Sequence, residues 1–206
     1  MSSRREQRIK ERKSRAFRKK VAAVVVAILI ISAFAAIYSM NRQPSSATKV
    51  LLVTSMGNIT IELFDDMPIT ASNFKNLTQS GIYDETIFHR VAKGFVIQGG
   101  DATPKGITVP TIPDELPTKH SNVRGTVAMA KIPGQPNSAT SQFFINLNDT
   151  NAVSLDSNFS VFGRVVAGMN IVDDIGKVEI IPADPQYPND GKPKQDVTLT
   201  EARFIG

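Results

Sequence analysis

The chain has no cysteine and no tryptophan, and its 206 residues include only two histidines, His89 and His120. Without cysteine there is no disulfide framework, no thiol nucleophile and no acylated-cysteine lipid anchor. Two histidines are too few for a histidine-rich metal site, and neither a metal nor a cofactor is expected. Beyond residue 20 the chain also lacks an excess of positive charge. Residues 1–20 hold ten Lys/Arg against two Glu, a net of +8; the whole chain is +5, so the remainder carries −3. The basic character therefore belongs to the tail, and no nucleic-acid partner is expected. No internal repeat is visible. The length suits one globular domain with an appendage.

The appendage is read from three consecutive stretches. Residues 1–20 form a basic tail that cannot bury a core. Residues 21–40 contain no charged side chain, and only Ser32 and Ser39 interrupt an apolar run that ends Tyr38-Ser39-Met40. At about 1.5 Å per residue this run spans roughly 30 Å, the hydrocarbon thickness of a bilayer, which predicts a single transmembrane signal-anchor helix. Tyr38 falls where an interfacial aromatic belongs, and the excess of Lys/Arg ahead of the span places the N-terminus in the cytoplasm. The expected location is a single-pass cell-membrane protein with its domain outside the cytoplasm. The alternative is a cleaved signal peptide, since Ala33-Phe34-Ala35 has the small-x-small form, but the apolar run continues past it. Residues 41–48 read as a linker and 49–206 as the folded domain.

That domain opens with a hairpin, Val50–Thr54 and Ile59–Leu63 around Ser55-Met56-Gly57-Asn58. Pro68 starts a helix whose Phe74 and Leu77 share a face and which Gly81 ends. A second helix lies near Met169–Ile175. Residues 102–117 and 181–194, each with four prolines, read as surface loops. Val197–Ile205 is expected to be a last strand pairing near the first. Short strands with turn signals and only two helices argue for a closed β-barrel.

Phe88 to Asp101 reads F-H-R-V-A-K-G-F-V-I-Q-G-G-D, as two short strands joined at Ala92-Lys93-Gly94. Val96 and Gln98 would share one face and Ile97 the other. Arg90 is unusual inside such apolar runs, because a buried charge needs partners; the plain reading is a strand-edge arginine with its head in water. Further on, V-A-M-A-K-I-P-G-Q-P-N-S-A-T-S-Q-F-F-I-N places Gln142 and Phe144 on one face, with Phe143 and Ile145 opposite. Ser160-Val161-Phe162-Gly163-Arg164-Val165 follows a loop.

In this order, F-H-R-x-x-x-G-F-x-I-Q-G-G-D, M-A, S-Q-F-F-I and V-F-G-R-V resemble the cyclophilin family of peptidyl-prolyl isomerases, over roughly Val50 to Ile205 and in its compact prokaryotic form. The resemblance implies a mainly β fold, a closed barrel of eight antiparallel strands capped by two helices. It implies an isomerase acting on proline-containing unfolded or nascent polypeptides, and the domain is expected to act as a monomer. It assigns Arg90 as the donor to the reacting amide, with Gln98 positioning it. Phe95, Val96, Phe144 and Leu155 become the proline seat, and Phe159 keeps it apolar. Ala130, Lys131 and Gln142 line the neighbouring groove, Lys131 more through its backbone than its side chain. Phe88, Phe143 and Phe162 are expected in the core, and His89 as a structural histidine with its hydrogen bonds satisfied. The alternative function is a proline-peptide-binding chaperone with little turnover. Two departures stand out. The M-A-K-I-P-G-Q-P-N-S-A-T-S-Q-F-F stretch is about two residues longer than the family's. Ser154-Leu155-Asp156 is followed by Phe159, where many relatives carry Trp-Leu-Asp and then a histidine.

Overall fold

The structure, a computed structural model, describes residues 48–205. The expected tail, the transmembrane helix and most of the linker lie outside the described residues. Among the described residues no helix is long and apolar enough to cross a membrane.

Period-two patterning builds the first hairpin. Strands β1 (Lys49–Thr54) and β2 (Gly57–Leu63) bury Val50, Leu52, Ile59, Ile61 and Leu63, while Thr60 and Glu62 on the other face of β2 stay partly open. The last strand, β11 (Thr198–Ile205), pairs antiparallel along β1, as expected, with a bulge at Val53/Thr54. Between them come β3 (Thr86–Ile87), β4 (Arg90–Ala92), β5 (Val96–Gly99), β6 (Thr126–Met129), β7 (Phe143–Asn146), β8 (Val161–Ala167), β9 (Ile180–Pro182) and β10 (Asp190–Pro193).

The expected closed eight-stranded barrel is corrected on both counts. Eleven strands form one curled sheet in the order β3-β11-β1-β2-β8-β6-β7-β5-β4-β10-β9, and its two ends are not paired with each other. The ends explain why. β3 is only two residues long, and β9 carries Pro182, which has no N–H to offer a further strand. The proline-rich 181–194 segment is therefore no plain loop: β10 pairs with β4 and with β9. Among the described residues there are three α-helices in place of the expected two. They are α1 (Pro68–Gln79), α2 (Ala152–Leu155) and α3 (Met169–Ile175).

Helix α1 begins at Pro68 and ends before Gly81, as its sequence signals require, and buries Thr70, Ala71, Phe74 and Thr78. Its N-cap position holds Met67, whose side chain caps nothing. The missing acceptor comes from the long loop instead: the Glu115 carboxylate accepts from Ile69 N at 3.1 Å and Thr70 N at 2.9 Å. Glu115→Ala should therefore cost about 1 kcal/mol, the usual worth of a helix cap, and lower the melting temperature by about 2–4 °C. An unchanged melting curve would show that the cap is idle.

The sheet divides its side chains cleanly. Val91, Ile97, Ile145 and Val127 sit in register across β4, β5, β7 and β6 and belong to the main core with Phe74, Tyr83, Phe88, Phe143 and Phe162. The opposite face of the same strands carries a smaller cluster of Ala92, Val96, Ala128, Ala130, Phe144, Leu155 and Val161.

Candidate active site

The second face is a cross-strand row. Arg90 lies directly opposite Gln98, Gln98 opposite Phe144, Phe144 opposite Ala128, and Ala128 opposite Val161. Alternation brings Arg90 and Gln98 to the same side as Phe144, because register places them level with it. Over this row opens a cavity of about 260 Å³ lined by Arg90, Phe95, Val96, Gln98, Ala130, Lys131, Pro133, Phe144, Leu155 and Phe159. Nine of these ten were singled out from the sequence. Pro133, in the lengthened loop, was not.

Phe95 would fall on the wrong face of a regular strand. Gly94, at φ 70°, turns the chain so that β5 starts at Val96, and Phe95 leaves the alternation to join Val96 at the cavity. Its carbonyl accepts from Asn151 Nδ2 at 2.7 Å; Asn151 also reaches Asn146 Oδ1, and Asn146 donates to Asn122 Oδ1. Asn122 in turn binds Asp156 and the carbonyl of Phe159. This buried polar chain ties together the turn carrying Phe95 and the helix carrying Leu155. The sequence gives no periodic signal for it, since its members come from four separate segments. Phe159 packs edge-on against Phe144, ring centroids 5.4 Å apart.

The cavity's polar rim is a relay. Arg90 Nη1 donates to Gln98 Oε1 at 3.1 Å, and Gln98 Nε2 donates to Gln142 Oε1 at 2.8 Å. On its other edge Arg90 is gripped by Asp190: Nε donates to Oδ1 at 2.8 Å and Nη2 to Oδ2. So Arg90 is not a strand-edge arginine with a free head, and Asp190 was not found in the sequence. Gln142 stands behind Gln98 rather than on the cavity wall. The Lys131 side chain is held in a largely buried ion pair with Asp114.

His89 departs from expectation at one ring nitrogen: its Nδ1 is buried without a partner among the described residues. Burial pushes the imidazole below its ordinary pKa, reinforced by Arg90 and opposed by the charge of Asp101 and by polar contacts with the Ile87 backbone and the Gln142 side chain. The unfolded chain therefore binds this proton at a higher pH than the folded one. Stability should fall as pH drops below about 6.5 and level off once the folded imidazole titrates as well. His89→Phe should flatten that part of a melting-temperature profile recorded between neutral and mildly acid pH. Identical profiles would remove His89 as the cause.

Known proteins resemble this chain in sequence and in fold. The family described as "Cyclophilin type peptidyl-prolyl cis-trans isomerase/CLD" matches residues 49–204. The chain is 37% identical over 195 residues to peptidyl-prolyl cis-trans isomerase A of Dickeya dadantii, covering 91% of this chain and 98% of that one. It is 39% identical over 193 residues to a peptidyl-prolyl cis-trans isomerase of Acinetobacter baylyi, covering 90% and 95%. A crystal structure of a Cryptosporidium parvum cyclophilin type isomerase, determined in the presence of the dipeptide Ala-Pro, superposes with a TM-score of 0.65 at 28% identity, covering 77% of this chain and 99% of that one. Over residues 49–204, the chain belongs to the cyclophilin-type peptidyl-prolyl cis-trans isomerases and is an enzyme of that class.

Proposed function

We propose that this enzyme isomerises X-Pro bonds in unfolded or newly made polypeptides outside the cytoplasm, using Arg90 to stabilise the twisted amide. The reaction makes and breaks no σ bond; the obstacle is amide resonance, about 18–20 kcal/mol high. As the bond twists, the nitrogen recovers a lone pair and becomes a hydrogen-bond acceptor. A charged donor aimed at it binds the transition state better than the planar ground state.

The observation that carries this reading is the setting of Arg90. Three of its five N–H groups are held by Asp190 and Gln98, and two remain at the rim of an apolar cavity. Phe95, Val96, Phe144, Leu155 and Phe159 supply a seat for a proline ring. A module that only bound proline would have no use for the arginine. The arginine does not act alone. Shortening about 100 s to about 1 ms requires roughly 7 kcal/mol, more than one charge-assisted hydrogen bond supplies, so seat and backbone groove contribute the rest.

A protease-coupled X-Pro assay, run beside a titration with an Ala-Pro peptide, tests the mechanism. Arg90→Ala should lose turnover and keep peptide binding within a few fold. Equal turnover in both proteins would leave only the chaperone reading. The basic tail and uncharged run of residues 1–40 support a membrane tether with the domain outside, and protease accessibility in intact cells tests that placement. Ser154 stands where many relatives carry tryptophan, so the indole N–H and its stacking surface are gone, while Phe159, in place of their histidine, keeps the seat apolar. Isomerase activity should accordingly withstand micromolar cyclosporin, and tight inhibition would contradict this.

A further inference from the structure

We propose that Asp190 is a positioning residue for this active site: its carboxylate fixes the plane of the Arg90 guanidinium so that the two remaining N–H groups face the proline cavity. The inference rests on Arg90 acting as donor to the twisted amide. Arg90 has a long, flexible side chain and borders two hollows, the proline cavity and a second one of about 300 Å³ lined by His89, Tyr187, Asp190, Lys192 and neighbours. Gln98 alone, through one hydrogen bond at 3.1 Å, would leave the guanidinium a pivot. Asp190 holds the opposite edge at two nitrogens, and two held edges fix a plane.

Asp190 is itself firmly placed. β10 pairs with β4 so that Asp190 lies opposite Ala92, two residues from Arg90 and on its face. The next residue is Gly191, where a Cβ would stand 2.1 Å from the Ile181 carbonyl oxygen; only glycine lets β9 approach so closely. Stability is a poor explanation for the pair. Both side chains are more than a third exposed, where ion pairs contribute little. What the contact does supply is direction, and small misplacements of a catalytic group are expensive in rate.

The test is a double-mutant cycle in the protease-coupled assay: wild type, Asp190→Asn, Arg90→Ala and the double variant, each with a melting curve. Asp190→Asn keeps the shape but sets an NH2 against one of the arginine donors. It should lower kcat about tenfold or more with KM within about twofold. On the Arg90→Ala background it should cost nothing further. Asp190→Glu, which restores the charge one methylene away, should recover part of the lost kcat. Wild-type kcat in Asp190→Asn, an undiminished loss on the Arg90→Ala background, or no recovery with glutamate would each overturn the assignment. If Arg90→Ala itself keeps full turnover, the arginine mechanism fails and this inference with it. If Arg90→Ala is slow and Asp190→Asn is not, only the positioning role is lost.

Discussion

Arg90→Lys is expected to lower kcat/KM by roughly 10- to 150-fold, nearly as far as Arg90→Ala, although it keeps the positive charge. The reason is geometric. Arg90 spends Nε and one Nη2 proton on Asp190 and one Nη1 proton on Gln98, and still presents two more donors. Lysine gathers its three donors on one nitrogen, which cannot sit against Asp190, reach Gln98 and lean over the cavity at once. It should settle on Asp190 as a simple ion pair. KM should change little, because the seat of Phe95, Val96, Phe144, Leu155 and Phe159 is untouched. The melting curve should move little too, as the pair is half-exposed. A lysine variant at wild-type rate would show that charge near the cavity suffices and that the fork is irrelevant.

How much of this was legible in the sequence depends on how far apart the partners are. The first hairpin, α1 and α3 are written in local period and punctuation, and they appear where those signals place them. The face shared by Gln142 and Phe144 also follows from alternation within one strand. Asp190 lies 100 residues from Arg90, inside a stretch whose prolines argue against a strand. They are tolerated because Pro182 lies on the edge strand β9, Pro185 and Pro188 fall in the turn between β9 and β10, and Pro193 lies beyond the part of β10 that pairs with β4. The closed barrel failed for a related reason: short strands suggest a barrel, but closure depends on what the two edges can offer each other. His89 illustrates a different gap. A ring in an apolar run gives no sign in sequence of whether its nitrogens find partners. The resemblance to cyclophilins gathered most of the cavity wall at once, yet it said nothing about Pro133, which lies where the loop is longer than its relatives'.

Adjacent phenylalanines should give opposite phenotypes. Phe143→Ala is expected to cost about 3–5 kcal/mol, a large part of the 5–15 kcal/mol that holds a typical domain together. Its melting temperature should fall by about 6–20 °C. Phe143 is fully buried and meets Phe74, Tyr83 and Phe88 edge-on, with ring centroids at 5.4, 5.6 and 6.1 Å, so its removal leaves a void that those rings cannot collapse into without losing each other. Phe144, one residue on, points the other way into the cavity proposed as the proline seat and touches Phe159. Its loss widens a hollow already open on one side, which costs less stability. The proline ring, however, loses an apolar wall whose contact is worth about 1.5–3 kcal/mol, so kcat/KM should fall about tenfold or more. Paired melting curves and isomerase assays on the two variants separate these outcomes. Equal melting temperatures would mean that the two faces of β7 do not divide core from seat, and a fully active Phe144→Ala would mean that proline does not sit there.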